Sequence, residues 1–140
     1  MSARDSEPVV QFLREVAGDH LRSVLQYDEA DYRVLYLRDD LQAGYEDGDR
    51  NEVVAALRRA DPASDVIGRL GPAGELHSTV RLYDETVTIH VKQRGDFGTF
   101  VTLDPAAAGQ LTGFLSRLMR VLDRHSPQSF DARPGWMRDE

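Results

Sequence analysis

Residues 77–92 read HSTVRLYDETVTIHVK, and this stretch decides the fold. Its apolar residues fall at every second position on either side of Asp84-Glu85, a period typical of β-strands with one buried face. A two-residue turn at Asp84-Glu85 therefore predicts an antiparallel hairpin. A third strand is predicted at 99–103, after a loop at 94–98. The centre of the chain thus predicts a three-stranded antiparallel meander.

Further elements are predicted before and after the meander. Residues 9–25 place apolar side chains at helical spacing, behind Ser6 as the N-cap. A strand is predicted at 32–38 and a second helix at 50–60. Asp104-Pro105 is a typical start for a last helix, which runs to about Arg124. The buried side of that helix is expected to carry Leu111, Phe114, Leu115, Leu118, Val121 and Leu122.

The predicted order α-β-α-β-β-β-α indicates an α+β fold, with a mainly antiparallel four-stranded sheet and helices packed on one face. Residues 1–125 are expected to form a single domain, large enough to bury its own core. Residues 126–140 are expected to be a loose tail. Its large apolar side chains, Phe130 and Trp136, are either anchors that dock on a partner or on the domain, or part of a disordered end.

The charged residues are strongly biased. Sixteen of the 17 basic side chains are arginine, Lys92 is the one lysine, and Asp outnumbers Glu 16 to 8 at a net charge of −7. Surplus aspartate is typical of proteins kept soluble in concentrated salt, and scarce lysine accompanies GC-rich genes. The source is therefore either a salt-accumulating archaeon or an ordinary GC-rich bacterium. The acidic clusters are expected to be solvated surface rather than metal sites.

Several function classes are disfavoured. The chain has no cysteine, which excludes disulfides, thiolate metal sites and a cysteine nucleophile. It has no apolar stretch of about 18 residues and no apolar run near the N-terminus, so we expect a soluble cytoplasmic protein without a membrane partner. Its serines and histidines lack the spacing of a catalytic triad or a metal centre. We expect no enzymatic activity, no cofactor and no metal.

One candidate site lies on the face of the meander that points away from the apolar residues of its strands; we call it the outer face. A turn at Asp84-Glu85 places Thr79 opposite His90 and Arg81 opposite Thr88. Placing Val101 opposite Val91 brings Phe100 onto the same face. The outer face then gathers His77, Thr79, Arg81, Thr88, His90, Lys92 and Phe100.

Three interpretations of the outer face stay open. It is an ordinary solvated sheet face, a surface for self-association, or a site for an anion or a single-stranded nucleic acid with Phe100 as a stacking platform. The net charge of −7 disfavours broad binding of nucleic acid. The patterns together favour a non-enzymatic interaction or regulatory module that forms homodimers or binds a protein partner. The alternative is an anion- or nucleic-acid-binding protein that uses the outer face.

Three runs of the sequence resemble a family of small uncharacterised proteins from salt-loving archaea. They are residues 18–24 (GDHLRSV), 32–40 and 103–111 (LDPAAAGQL), within a likeness that covers most of residues 9–122. The resemblance implies no activity. The order of elements is also loosely similar to roadblock and longin-type regulatory domains, which pair as dimers around small GTPases. Those folds carry two strands between the first and second helices, where this sequence predicts one.

Overall fold

The computed structural model describes residues 3–42, 47–59, 70–74, 76–93 and 97–125. Its helices are α1 (Ala3–Ala17), α2 (Asp47–Arg59) and α3 (Gly109–His125). Its strands are β1 (Leu21–Tyr27), β2 (Tyr32–Leu37), β3 (Ser78–Leu82), β4 (Val87–Lys92) and β5 (Gly98–Leu103). Short 3-10 turns lie at Gly18–His20, Asp39–Leu41 and Pro105–Ala108. The tail at 126–140, with Phe130 and Trp136, lies outside the described residues.

The strands form one antiparallel sheet in the order β2-β1-β5-β4-β3. The predicted α+β class and the antiparallel meander are confirmed. The prediction of four strands is wrong, because the described part of the sheet has five. The order of the described elements is α-β-β-α-β-β-β-α.

The missing strand is β1, which the sequence pattern assigned to the first helix. Helix α1 ends at Ala17, and Gly18 follows with a φ of +57°, a conformation that favours glycine and terminates helices. Strand β1 then pairs with β2 on one side and β5 on the other. A central strand covered on both faces shows no alternation of apolar and polar residues, so its apolar residues resembled a continuing helix.

The β3–β4 hairpin forms with the register that its sequence predicts. Thr79 lies opposite His90 and Arg81 opposite Thr88, and the Tyr83 amide donates to the Thr86 carbonyl across the two-residue turn at 2.8 Å. The next pairing differs by two residues, because Val101 lies opposite Ile89 rather than Val91. A shift of two residues keeps every side chain on its own face of the sheet. Phe100 therefore still lies on the outer face.

Helices pack on both faces of the sheet, so the prediction of one covered face is wrong. On the inner face, Leu13 and Ala17 of α1 contact a core of five buried residues: Leu21, Val24, Val87, Val101 and Leu103. On the outer face, the fully buried Val54 of α2 packs with Leu25 and Tyr27 of β1. Because Val24 and Leu25 are consecutive on one strand, the two cores lie on opposite faces. Amphipathic spacing predicts that a helix has a buried side, but not which face of the sheet it meets.

Helix α3 turns its apolar side to solvent, contrary to the prediction. Five apolar residues along it are 40% to 56% exposed; we call them the apolar stripe: Leu111, Phe114, Leu118, Val121 and Leu122. Among the predicted buried residues of α3, only Leu115 is even partly buried. The side turned towards the protein carries Thr112 and Ser116, which are 7% and 6% exposed. The described residues leave the apolar stripe uncovered.

Within the described ranges, no helix is both long enough and apolar enough to span a bilayer.

Candidate functional site

A cavity of about 450 Å³ lies between the outer face of the sheet and α2; we call it the pocket. This volume falls in the range of sites that bind small molecules. Outer-face residues of all five strands line it together with Arg50, Val53, Ala56 and Leu57 of α2. Among the described elements, α2 packs on the β1 and β2 side of the outer face, and the pocket lies between it and the β3–β4 side.

Hydroxyl groups form part of the floor of the pocket. Thr102 of β5 lies between Ser23 of β1 and Thr88 of β4 in the register of the sheet. The Ser23 and Thr102 hydroxyl oxygens are 2.6 Å apart and share a hydrogen bond. Thr88 and Thr102 are each only 8% exposed. The floor is therefore polar but closely packed.

A Tyr-His-Phe cluster lies beside these hydroxyl groups, and two of its members, His90 and Phe100, line the pocket. The Tyr27 hydroxyl and Nε2 of His90 are hydrogen-bonded at 2.7 Å, and their ring centroids are 5.9 Å apart. His90 meets Phe100 edge to face, at 6.4 Å between centroids. Burial lowers the pKa of His90 below its usual value, and the positive charges of Lys92 and Arg81 lower it further. Both effects favour the neutral form of His90.

The described lining of the pocket carries basic side chains in an otherwise acidic protein. Arg50 and Arg81 line it, and no aspartate or glutamate is among the described residues that do so. Arg81 is exposed and makes no hydrogen bond or ion pair with the described part of the chain. A guanidinium at the mouth of a mainly apolar cavity offers paired N–H donors to an anionic group.

The remaining wall is apolar. Leu25, Val34 and Phe100 on the sheet face Val53 and Leu57 on α2 across the pocket. Such a combination, an apolar wall with a few placed polar groups, is typical of small-molecule sites.

Five of the seven predicted outer-face residues line the pocket: Thr79, Arg81, Thr88, His90 and Phe100. His77 does not, because β3 begins at Ser78 and His77 lies exposed just before it. Lys92 does not either, since it lies at the far end of β4 opposite Gly98. The basic side chains expected together on the outer face are therefore divided: Arg81 and His90 line the pocket, and His77 and Lys92 do not.

Sequence reasoning missed the residues that β1 and α2 contribute. Ser23 and Leu25 share the outer face of β1, but this strand has no alternation of apolar and polar residues that could have revealed them. No local signal marks Val53 or Leu57 as pocket residues, because their position depends on how α2 docks.

A second polar cluster joins the ends of β1, β2 and β5. Asp104 accepts hydrogen bonds from Arg38 at 2.6 Å and from Arg22 at 3.1 Å, and Nδ1 of His20 lies 3.5 Å from it. Burial opposes the ionised form of Asp104, but the bonds from Arg38 and Arg22 outweigh it and lower its pKa. Arg38 also pairs with Asp40 at 2.6 Å. With both carboxylate oxygens of Asp104 engaged, this cluster holds three strand ends together.

No metal centre is visible in the described part of the chain, where no three His, Asp or Glu side chains are grouped as a metal ion requires.

The model of a family described as a domain of unknown function (DUF7522) matches residues 7–123. The chain belongs to this family. The matched range covers the helices and strands of the described residues, apart from a few terminal residues of α1 and α3. The expected likeness to an uncharacterised family is thereby confirmed. No curated protein matches the chain.

Proposed function

We propose that this protein is a non-enzymatic module that binds a small molecule in the pocket. One observation carries the proposal: a cavity of about 450 Å³ has a hydroxyl floor, an apolar wall and two arginines without a lining carboxylate among the described residues. In the described part of the chain, no serine or threonine hydroxyl of the pocket is hydrogen-bonded to His90. Ser23 bonds Thr102, whereas His90 bonds Tyr27. A nucleophile needs its base within hydrogen-bond reach.

The test is to fill the pocket from α2. Ala56 is exposed and lines the pocket, so Ala56→Trp places a large ring there without disturbing the buried Val54. Asn51→Trp is the matched control, because Asn51 is exposed on α2 but does not line the pocket. The probe is 1-anilinonaphthalene-8-sulfonate, an apolar anion whose fluorescence rises when it leaves water. We expect Ala56→Trp to weaken its binding at least tenfold and Asn51→Trp to leave it unchanged.

The probe also has affinity for exposed apolar surface, so a third variant separates the two sites. Leu118→Ser removes part of the apolar stripe and is expected to leave pocket binding intact. Equal binding by wild type and Ala56→Trp, together with a loss in Leu118→Ser, would contradict the proposal.

A second candidate function is self-association through the apolar stripe. Exposed apolar groups along one side of a helix are typical of a surface that another helix covers. Helix α2 packs on part of the outer face, so this face does not offer its full surface to a second copy. The stripe on α3 is the better placed surface, and we propose that the second copy of this chain docks there.

Light scattering after size exclusion, in low and in molar salt, tests this candidate. We expect the wild type to be a dimer and Leu118→Glu a monomer. Arg117→Glu adds a negative charge at a neighbouring exposed position outside the stripe and is expected to leave the dimer intact in molar salt. A wild type that stays monomeric at high concentration would refute the candidate.

The order of elements supports a likeness to roadblock and longin-type domains, and with it a regulatory role. Two strands, β1 and β2, lie between α1 and α2, as in those folds. A single strand was expected between these helices because the residues of β1 were assigned to the first helix. The excess of arginine and aspartate supports, as further proposals, a cytoplasmic location and a salt-adapted source.

A further inference from the structure

We infer that the ligand of the pocket is a small organic acid with one negative charge and an apolar body. This inference rests on the proposed binding function and specifies its ligand class. The structure supplies three constraints: the charge of the lining, the apolar wall, and the cover that α2 provides.

The charge of the lining favours an anion. Arg81 has no ion pair within the described residues, and no described carboxylate faces it from the pocket lining. A cationic ligand would be repelled by Arg81, whereas an anionic group can replace water at its guanidinium. A carboxylate accepts two parallel N–H donors from one arginine, so a single acidic group is enough to satisfy Arg81.

The apolar wall favours an organic body over a phosphate-rich one. Leu25, Val53 and Leu57 lie on the α2 side of the pocket, away from β3, which carries Arg81. An acid with its charged end at Arg81 and its apolar part against α2 matches this division. Inorganic phosphate has no apolar part and would leave the apolar wall in contact with water.

The cover that α2 provides disfavours a polymer. A single-stranded nucleic acid needs an open basic groove that follows its backbone. Here α2 closes one side of the outer face, and His77 and Lys92 lie outside the pocket. A ligand that fits within about 450 Å³ is a small molecule.

Matched acid and amide probes test the ligand class. Naphthalene-2-carboxylate and naphthalene-2-carboxamide have the same apolar body and differ in charge, and isothermal titration calorimetry measures both against the full chain. We expect the acid to bind at least tenfold more tightly than the amide. Arg81→Gln should remove this difference while leaving amide binding unchanged. Arg33→Gln changes the net charge equally at an exposed position outside the pocket and should have no effect.

The outcomes separate the ligand class from the proposed function. If both probes bind equally well and Ala56→Trp abolishes both, the pocket is a binding site but the anionic ligand class is wrong. If inorganic phosphate or a ten-nucleotide thymidine oligonucleotide competes better than the acid, the class is also wrong. If neither naphthalene probe binds, both the ligand class and the proposed function fail.

Discussion

Gly98→Ala should destabilise the fold because Tyr27 occupies the space that a Cβ atom at this position needs. Gly98 of β5 lies opposite Tyr27 of β1, and a Cβ built on Gly98 would overlap the Tyr27 ring. The ring has no room to move away. It is 3% exposed, packs with Leu25 and Val54, and donates or accepts the hydrogen bond to His90.

The size of the effect follows from three contributions. Inserting a methyl group into a packed region costs about 1–3 kcal/mol. Displacing the ring also loses the bond between Tyr27 and His90, which contributes about 0.5–1.5 kcal/mol. Replacing glycine in a strand gains about 0.5–1 kcal/mol, because alanine has less backbone freedom to lose. The net expectation is a loss of about 2–3 kcal/mol in the free energy of unfolding, or a melting temperature lower by about 6–10 °C.

Urea denaturation followed by circular dichroism measures this loss. The matched control is Gly113→Ala in α3, where a Cβ meets nothing within 4 Å and alanine should stabilise the helix by up to about 1 kcal/mol. Replacing glycine by alanine is thus expected to lower the free energy of unfolding at Gly98 and to raise it at Gly113. In a Tyr27→Leu background the cost of Gly98→Ala should largely disappear, because the two residues are directly coupled. A Gly98→Ala protein as stable as wild type, or an equal cost in both backgrounds, would refute the reasoning.

Three further predictions concern stability. Asp104→Asn should lower the free energy of unfolding by about 1–3 kcal/mol at pH 7, because Asp104 and its arginine partners are only 26% and 22% exposed. Since the pKa of Asp104 is lowered in the fold, its contribution is lost as pH falls below about 4, and denaturation at pH 3 should show variant and wild type converging. Burial, together with the nearby charges of Lys92 and Arg81, lowers the pKa of His90, whose ring is hydrogen-bonded to the Tyr27 hydroxyl. Because protonation of His90 is less favourable in the fold than in the unfolded chain, the wild type should lose stability as pH falls below about 6.5. His90→Gln should flatten this pH dependence in the same assay. Val54→Ala should cost about 2 kcal/mol in urea denaturation because Val54 is 1% exposed, whereas Val53→Ala at 38% exposure should cost less than half as much.

Part of the candidate site could be read from the sequence because it depends on one hairpin. The two-residue turn and the alternation of Val87 and Ile89 with polar residues set the register within about fifteen residues of chain. That register alone places Thr79, Arg81 and His90 on one face. The rest of the pocket joins residues that are distant in the chain, and no local period encodes how such segments meet.

Strand β1 and helix α3 show two ways in which the periodicity of a sequence fails to predict the structure. In β1, burial on both faces removed the alternation by which a strand is recognised, so pairing with β2 and β5 decided its conformation. In α3, the helical period correctly predicted a helix and an apolar side, yet that side faces solvent and Thr112 and Ser116 face the protein. Periodicity reports which residues share a face, whereas burial depends on what covers that face.

By itself, the sequence determined the α+β class, the three-stranded meander, the hairpin register and the local chemistry of its outer face. These features follow from backbone geometry that repeats over a few residues. The tertiary structure alone decided the interior position of β1 in the sheet, the docking of α2 over the outer face, and the lining of one cavity by both Arg81 and His90. Each of these depends on contacts between distant segments, and the free energy of such contacts comes from burial that only the assembled fold provides.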